Sequence, residues 1–274
     1  IFLWVNAELG VNQFHTKVDR LYKVMGNQTY SGGKILTFED TPGPRVPCIK
    51  DKYPEIEMAT RWTWPVNPHL QYEDKSFKDE GRWVDGDFLL MRDFPMLTGD
   101  KNTALSGTNS IVVTEKFAKK FFGEEDPMGK VLVMDTKDSY QVTGVISDPP
   151  LNSQLTFDYL LPFQTYFDQN KGWLDEWGNN NIRSFLLLKE GVNVQAFSDK
   201  FKDEIQSHNK QSNVALFIHP FKDAYLHGDF SEGKLSGGRI EYVRSGFVGA
   251  IFVLFIACIN FRNLSTAQAS KRAK

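Results

Sequence analysis

From Ser245 to Phe261 the chain runs for seventeen residues without a charge, "SGFVGAIFVLFIACINF", between Arg244 and Arg262. Wound as an α-helix at about 1.5 Å per residue, such a run is about 26 Å long. A membrane span needs about 17–25 residues, so this one sits at the short end of the range. A helix buried in a soluble core normally keeps one polar face. Here only Asn260 interrupts the apolar surface. The run therefore reads as a span rather than a core helix, and the bracketing arginines can snorkel towards the membrane surfaces. The small and polar residues of Asn263–Ser270 let the helix continue as it leaves the bilayer.

Charge orients this span. No Asp or Glu follows Glu241, whereas Lys271, Arg272 and Lys274 close the chain. A positive flank belongs on the cytoplasmic side, which places the preceding body outside. Residues Ile1–Val5 are all apolar and read as the end of an earlier span. The expected topology is span, large outside domain, span, with membrane lipid as a neighbour. The body has its own charge balance. Without Arg262 and the three terminal cations, residues 1–261 hold 28 basic and 34 acidic side chains, a net of −6. An acidic body excludes nucleic acid as the expected partner.

The two cysteines, Cys48 and Cys258, form no CxxC pair, and Cys258 lies inside the apolar run. The N-terminus has neither a basic n-region nor a small-residue cleavage site. With 41% hydrophobic residues over 274 positions, the chain has material for one large domain or two modest ones.

Hydrophobic periodicity divides the body. Val11, Phe14, Val18 and Leu21/Tyr22 recur every three or four residues, which predicts a helix passing into a strand over Leu21–Tyr30. "EIEMATRWTW" alternates as a strand does, after a short predicted helix near Val46–Lys52. In "TNSIVVTEKFAKKFFG", Thr114 is a good N-cap and Gly123 a good stop. Phe117, Ala118, Phe121 and Phe122 share the face between them. Strands follow at "KVLVMD", "YQVTGVIS", "LTFDYLLPF" and "IRSFLLLKEG". "VNVQAFSDKFKDEIQSH" predicts one amphipathic helix on Val194, Phe197, Phe201 and Ile205, and "SNVALFIHP" a closing strand. Strand–helix–strand units near Leu21–Trp64 and Ile182–Pro220 thus flank a middle section. The pattern predicts an α+β domain of two such units with a second subdomain inserted.

Catalytic patterns are missing. "GEEDPMGK" has five residues between its glycines, and Val131 follows Lys130, so it fails the phosphate-loop spacing and lacks the magnesium-binding hydroxyl. It reads as a helix stop and a turn. No histidine has metal-ligand spacing and no GxSxG elbow occurs. His219 reads as structural. His15, beside Phe14 near the expected membrane surface, packs or titrates there. Asn27-Gln28-Thr29 matches a glycosylation sequon, a pattern frequent by chance. Trp62, Trp64, Trp83, Trp173 and Trp177 read as core and interdomain packing, with an apolar groove as the alternative.

Three segments resemble one known family. "FIACINFRNLSTAQASKRAK" resembles the second transmembrane helix and cytoplasmic segment of MacB/FtsX-type ABC transporter permeases, in their Bacteroidetes-like form. Arg262 stands where such sequences have an apolar residue. "LWVNAELGVNQFHTKVDRLYKV" is similar to the end of the first helix and the stalk beyond it. "IVVTEKFAKKFFGEEDPMGKVLVMD" followed by "YQVTGVISDPP" is similar to the MacB-like periplasmic core.

The resemblance implies an α+β, two-subdomain periplasmic domain flanked by transmembrane segments. The expected parts are residues 1–10 as the end of the first transmembrane helix, 11–67 and 151–242 as a membrane-proximal, porter-like subdomain, and 68–150 as the insertion. Residues 243–262 would be the second transmembrane helix and 263–274 a cytoplasmic segment. It implies a permease in the bacterial inner membrane, with residues 11–242 periplasmic, that transmits ATPase-driven motion to export or efflux. The implied partners are a cytoplasmic ABC ATPase and a second permease copy, with room for a periplasmic adaptor and an outer-membrane channel. No catalytic, cofactor-binding or metal residue and no cofactor is expected. The competing expectation is the extracytoplasmic sensor of a membrane receptor.

Overall fold

The computed structural model describes residues 2–43 and 45–272. Ile1, Lys274 and the side chains of Cys48, Lys271 and Arg272 lie outside the described residues. Helix α1 (Phe2–Leu9) leads through turns into strands β1 (Leu21–Thr29), β2 (Ile35–Phe38) and β3 (Asp40–Pro42), helix α2 (Arg45–Lys52) and strand β4 (Ile56–Trp62). The middle contributes β5 (His69–Tyr72), β6 (Lys75–Lys78), β7 (Gly81–Val84), α3 (Phe88–Met91), β8 (Met96–Gly99), β9 (Ser110–Thr114), α4 (Glu115–Phe122), β10 (Val131–Met134) and β11 (Asp138–Ile146). Then come β12 (Tyr159–Pro162), α5 (Phe163–Leu174), β13 (Asn180–Leu188), α6 (Val194–Phe201), α7 (Glu204–His208) and β14 (Val214–Pro220). A hairpin of β15 (Asp229–Ser231) and β16 (Lys234–Gly237) precedes the last helix, α8 (Ile240–Arg272).

The architecture is α+β, as expected. One mixed sheet runs in the order β14-β1-β13-β4-β7-β12-β9-β11-β10-β5-β6, with β2, β3 and β8 beside β1, β13 and β11. The two strand–helix–strand units interleave: β1 pairs with both β13 and β14, and β13 with β4. Side chains alternate across this sheet because successive residues of a strand point to opposite faces. Leu21 packs with Trp62, Phe185 and Phe221 on one face, whereas Tyr22 and Val24 pack with Phe197 and Phe201 on the other. At the far end of the sheet, α4 and α5 cover a third cluster around Phe117, Phe121, Tyr140 and Tyr159.

Helix α4 forms as its sequence dictates. The Thr114 hydroxyl accepts from the Phe117 N–H at 3.3 Å, and Gly123 closes the helix at a φ of 65°. Phe117 and Phe121 stack with ring centroids 4.4 Å apart. "GEEDPMGK" is the expected turn, with Gly129 at a φ of 77° and Lys130 paired to Glu125.

Two helix expectations fail for tertiary reasons. Over Val11–Tyr22 the chain makes turns and a short 3-10 segment, Val18–Arg20. Asn12 takes a φ of 63° and donates its N–H to the distant Asn152 carbonyl, which leaves no helical ladder. Over Val194–His208 the expected single helix breaks into α6 and α7. The Lys202 carbonyl accepts from Leu216 N–H at 2.8 Å, so β14 takes an acceptor that a continuous helix would use. The terminal helix continues past Arg262 without a break, as the small and polar residues of Asn263–Ser270 allow.

Candidate functional site

The first and last helices join the body of the domain at one end. Helix α1 stops at Gly10, and Asn12 follows in the left-handed conformation that Asn tolerates better than most residues. Asn12 is fully buried. Its N–H donates to Asn152 O at 2.8 Å, its Oδ1 accepts from Gln154 N at 2.9 Å, and its Nδ2 donates to Gln154 Oε1 at 3.1 Å. Asn152 Nδ2 returns a bond to Gly10 O at 2.9 Å. These bonds tie the exit of α1 to the loop before β12, and each satisfies a polar group that burial would otherwise penalise by about 1–3 kcal/mol.

The next residues are held against α3. Asp93 Oδ2 accepts from Thr16 N at 2.6 Å and Thr16 Oγ1 at 3.0 Å, while Lys17 Nζ reaches Leu90 O at 3.1 Å. Asp93 N–H donates to His15 Nδ1 at 3.2 Å, and the His15 ring packs among Phe14, Phe94 and Phe221. Beside it, the buried Arg92 guanidinium lies between Phe185 at 4.5 Å and Phe221 at 4.0 Å. Burial pushes Arg92 down to about 9.

The return path is equally tied. Phe221 N–H donates to Leu21 O at 2.9 Å, and Ile240 N–H donates to Leu226 O at 3.1 Å where α8 begins. Val5, Leu226 and Val243 form a small buried cluster with Tyr225 and Ile240 packed on it. The Glu8 carboxylate accepts from Tyr225 Oη at 2.8 Å and from Arg239 Nε and Nη2 at 3.1 and 3.2 Å. A two-point Arg–carboxylate pair fixes orientation as well as distance. Nearly two turns into α8, a Cβ on Gly246 would stand 2.8 Å from Trp4 Cζ3, so α1 and α8 approach closely only because that residue is glycine. Phe2 and Phe247 meet edge to face at 6.1 Å.

Beyond this contact α8 is bare. Phe252, Val253, Leu254, Phe255 and Ile256 are each about 60% exposed. The stretch Ile240–Thr266 has a mean hydropathy of 2.1 in its most apolar window, long and apolar enough to cross a membrane. A contiguous apolar surface of this kind is covered by lipid or by other helices in a working protein.

Acid should loosen the joint. Desolvation, reinforced by the neighbouring Arg92 and partly opposed by Asp93, lowers His15 to about 3. His219 is lowered by burial too. Both groups bind protons more readily unfolded than folded, so stability present above the unfolded value near 6.5 is lost as pH falls towards the folded values. The expected result is a melting temperature that drops between about pH 6.5 and 4, with a shallower drop in His15→Phe. Parallel melts of the two proteins across that range check it; identical pH profiles would exclude His15.

Sequence reasoning placed His15 at this end of the domain but missed Glu8, Asn12, Asn152, Gln154, Tyr225 and Arg239. Their partners lie 142 to 231 residues apart, and no local pattern announces them. The tryptophans split: Trp62 and Trp83 are core, Trp64 is exposed, and Trp177 stacks on His208 at 3.8 Å. Among the described residues no group of three or more His, Cys, Asp or Glu could hold a metal.

A mixed sheet packed against helices, the last of them long and apolar enough to cross a membrane, defines a class: an α+β domain joined to a candidate membrane span. The chain belongs to the MacB-like periplasmic core domain family, whose model matches residues 1–204. Three solved structures share its fold. A domain assigned to a permease protein of Porphyromonas gingivalis is 24% identical with a TM-score of 0.65, covering 76% of this chain and 92% of that one. The periplasmic region of MacB from Actinobacillus actinomycetemcomitans is 15% identical with a TM-score of 0.54, covering 74% and 89%. The extracellular domain of the noncanonic ABC-type transporter YknZ from Gram-positive bacteria is 12% identical with a TM-score of 0.52, covering 73% and 99%. No curated protein matches the chain.

Proposed function

We propose that this chain is the motion-transmitting part of an ABC permease. Helices driven by a cytoplasmic ATPase move the periplasmic sheet, and the sheet acts on export or efflux of a substrate. The supporting observation is the joint: α8 enters the domain through the Ile240–Leu226 bond, and α1 and α8 are locked by Glu8, Tyr225, Arg239 and the Gly246–Trp4 contact. A helix bonded in this way to the turns that leave β14 carries the sheet with it. In this reading residues 11–242 are periplasmic, α8 crosses the inner membrane, and residues 263–274 lie near the ATPase. A second permease copy completes the transporter, and 68–150 is the insertion that meets an adaptor and an outer-membrane channel. ATP hydrolysis belongs to the ATPase and not to this chain.

The test uses the full permease with its ATPase in nanodiscs. Nitroxide labels on Leu97, which is 50% exposed at the far part of the sheet, report the distance between the two permease copies. ATP should shift that distance by several ångströms, as packed elements in a bistable assembly shift by such amounts. A distance distribution indifferent to ATP would sink the proposal.

A further inference from the structure

A second site lies away from the joint. Two cavities of about 380 and 410 Å³ open side by side along α5, with Val66 and Tyr166 common to both. The first is walled by Trp64, Pro65, Trp173, Asn179 and Asn181. Trp83, Tyr140, Asp135, Asp138, Gln169 and Asn170 wall the second.

The rings of the first cavity are fixed in place. Trp64 is 49% exposed, yet its indole donates to the Asp40 carboxylate and the Arg183 guanidinium lies 3.9 Å over its ring. Trp173 Nε1 donates to Asn170 Oδ1 at 3.2 Å, and Asn179 Nδ2 donates to Trp173 O at 3.1 Å. An exposed indole held on one face by a cation and at its edge by a carboxylate is set for a ligand on its open face. Its ordering cost is already met by the fold. The Asn67 amide and the Asp138 carboxylate, which also line the second cavity, have no hydrogen-bond partner among the described residues.

The lining selects by exclusion. It contains no Lys, Arg or His, and it includes two aspartates, so it repels anions. Free amides and carboxylates would be stranded under a purely apolar ligand. Arg183 already occupies the cation-binding face of Trp64, which disfavours a cationic ligand there. What fits is uncharged, with flat C–H faces for the rings and hydroxyls for Asn and Asp. We propose that this paired cavity binds a neutral oligosaccharide, with pyranose faces on Trp64 and Trp173 and hydroxyls on Asn67, Asn181 and Asp138.

The full chain in nanodiscs, free of sugar-headed detergent, is titrated with chitotetraose, cellotetraose and maltotetraose and followed by tryptophan fluorescence and saturation-transfer NMR. Preference for chitotetraose would indicate an N-acetylated wall-type glycan, and preference for either of the others a free glucan. Saturable binding is expected with a Kd of about a millimolar or tighter. Trp64→Ala and Trp173→Ala should each weaken it about tenfold or more, and Trp64→Phe less. Trp177→Ala, whose ring stacks on His208 and lines neither cavity, should leave it unchanged. A melting curve for each variant separates lost binding from lost fold. No saturable binding of any of the three sugars overturns the proposal. So does an unchanged Kd in folded Trp64→Ala.

Discussion

Gly81→Ala is expected to destabilise the domain by about 3–5 kcal/mol, the cost of losing a buried aromatic from its seat. Gly81 opens β7 directly opposite Tyr159 of the parallel neighbour β12. A Cβ there would stand 2.0 Å from Tyr159 Cε2 and 2.5 Å from its hydroxyl. Tyr159 is fully buried against Phe117, at 5.6 Å between centroids, and has no room to retreat. The ring must leave its site or the strands must part, since overpacked cores yield by such shifts. In a domain of this size the midpoint of thermal unfolding should fall by about 10 °C. Tyr159→Leu, which removes the clashing atoms, should recover part of that loss in the double variant while being destabilising by itself. Thermal melts of the four proteins check this; additive losses would mean that the contact is not the cause.

Gly246→Leu should leave the sheet folded and abolish the ATP-driven displacement of Leu97 labels. The added side chain collides with Trp4, 2.8 Å from the Cβ position, and forces α1 and α8 apart. Helix propensity favours the substitution by nearly 1 kcal/mol, so any loss comes from the contact and not from the helix itself. Gly249→Leu is the matched control, because a Cβ at Gly249 meets nothing within 4 Å. Unaltered melting, basal ATP hydrolysis at the normal rate and no label movement is the expected pattern for Gly246→Leu alone. If both variants move their labels normally, the α1–α8 contact transmits nothing.

The parts legible in the sequence are those whose causes are local. Helix α4 carries its cap, its stop and its apolar face within ten residues, and it forms as written. The long apolar run announces α8 because length and lack of charge suffice. Long-range causes left no such trace. The turns at Val11–Tyr22 keep a helical spacing of apolar residues, yet Asn12 is claimed by Asn152 and by Gln154, 142 residues further along the chain. The break between α6 and α7 depends on β14 reaching Lys202. Trp62 and Trp64 look alike by alternation, but β4 ends at Trp62, so one ring is core and the other faces solvent. The paired cavity was legible only as an excess of tryptophan, because the asparagines that complete it come from three separate segments.

Helix α8 contains 33 residues. That makes a rod of about 50 Å, some 20 Å more than the hydrocarbon layer is thick. Tilting such a rod by about 10° carries one end about 9 Å relative to the other. Its first turn is bonded to Leu226, in the turns that follow β14. The length of this one helix therefore sets its leverage: each degree of tilt displaces one end by about 0.9 Å relative to the other.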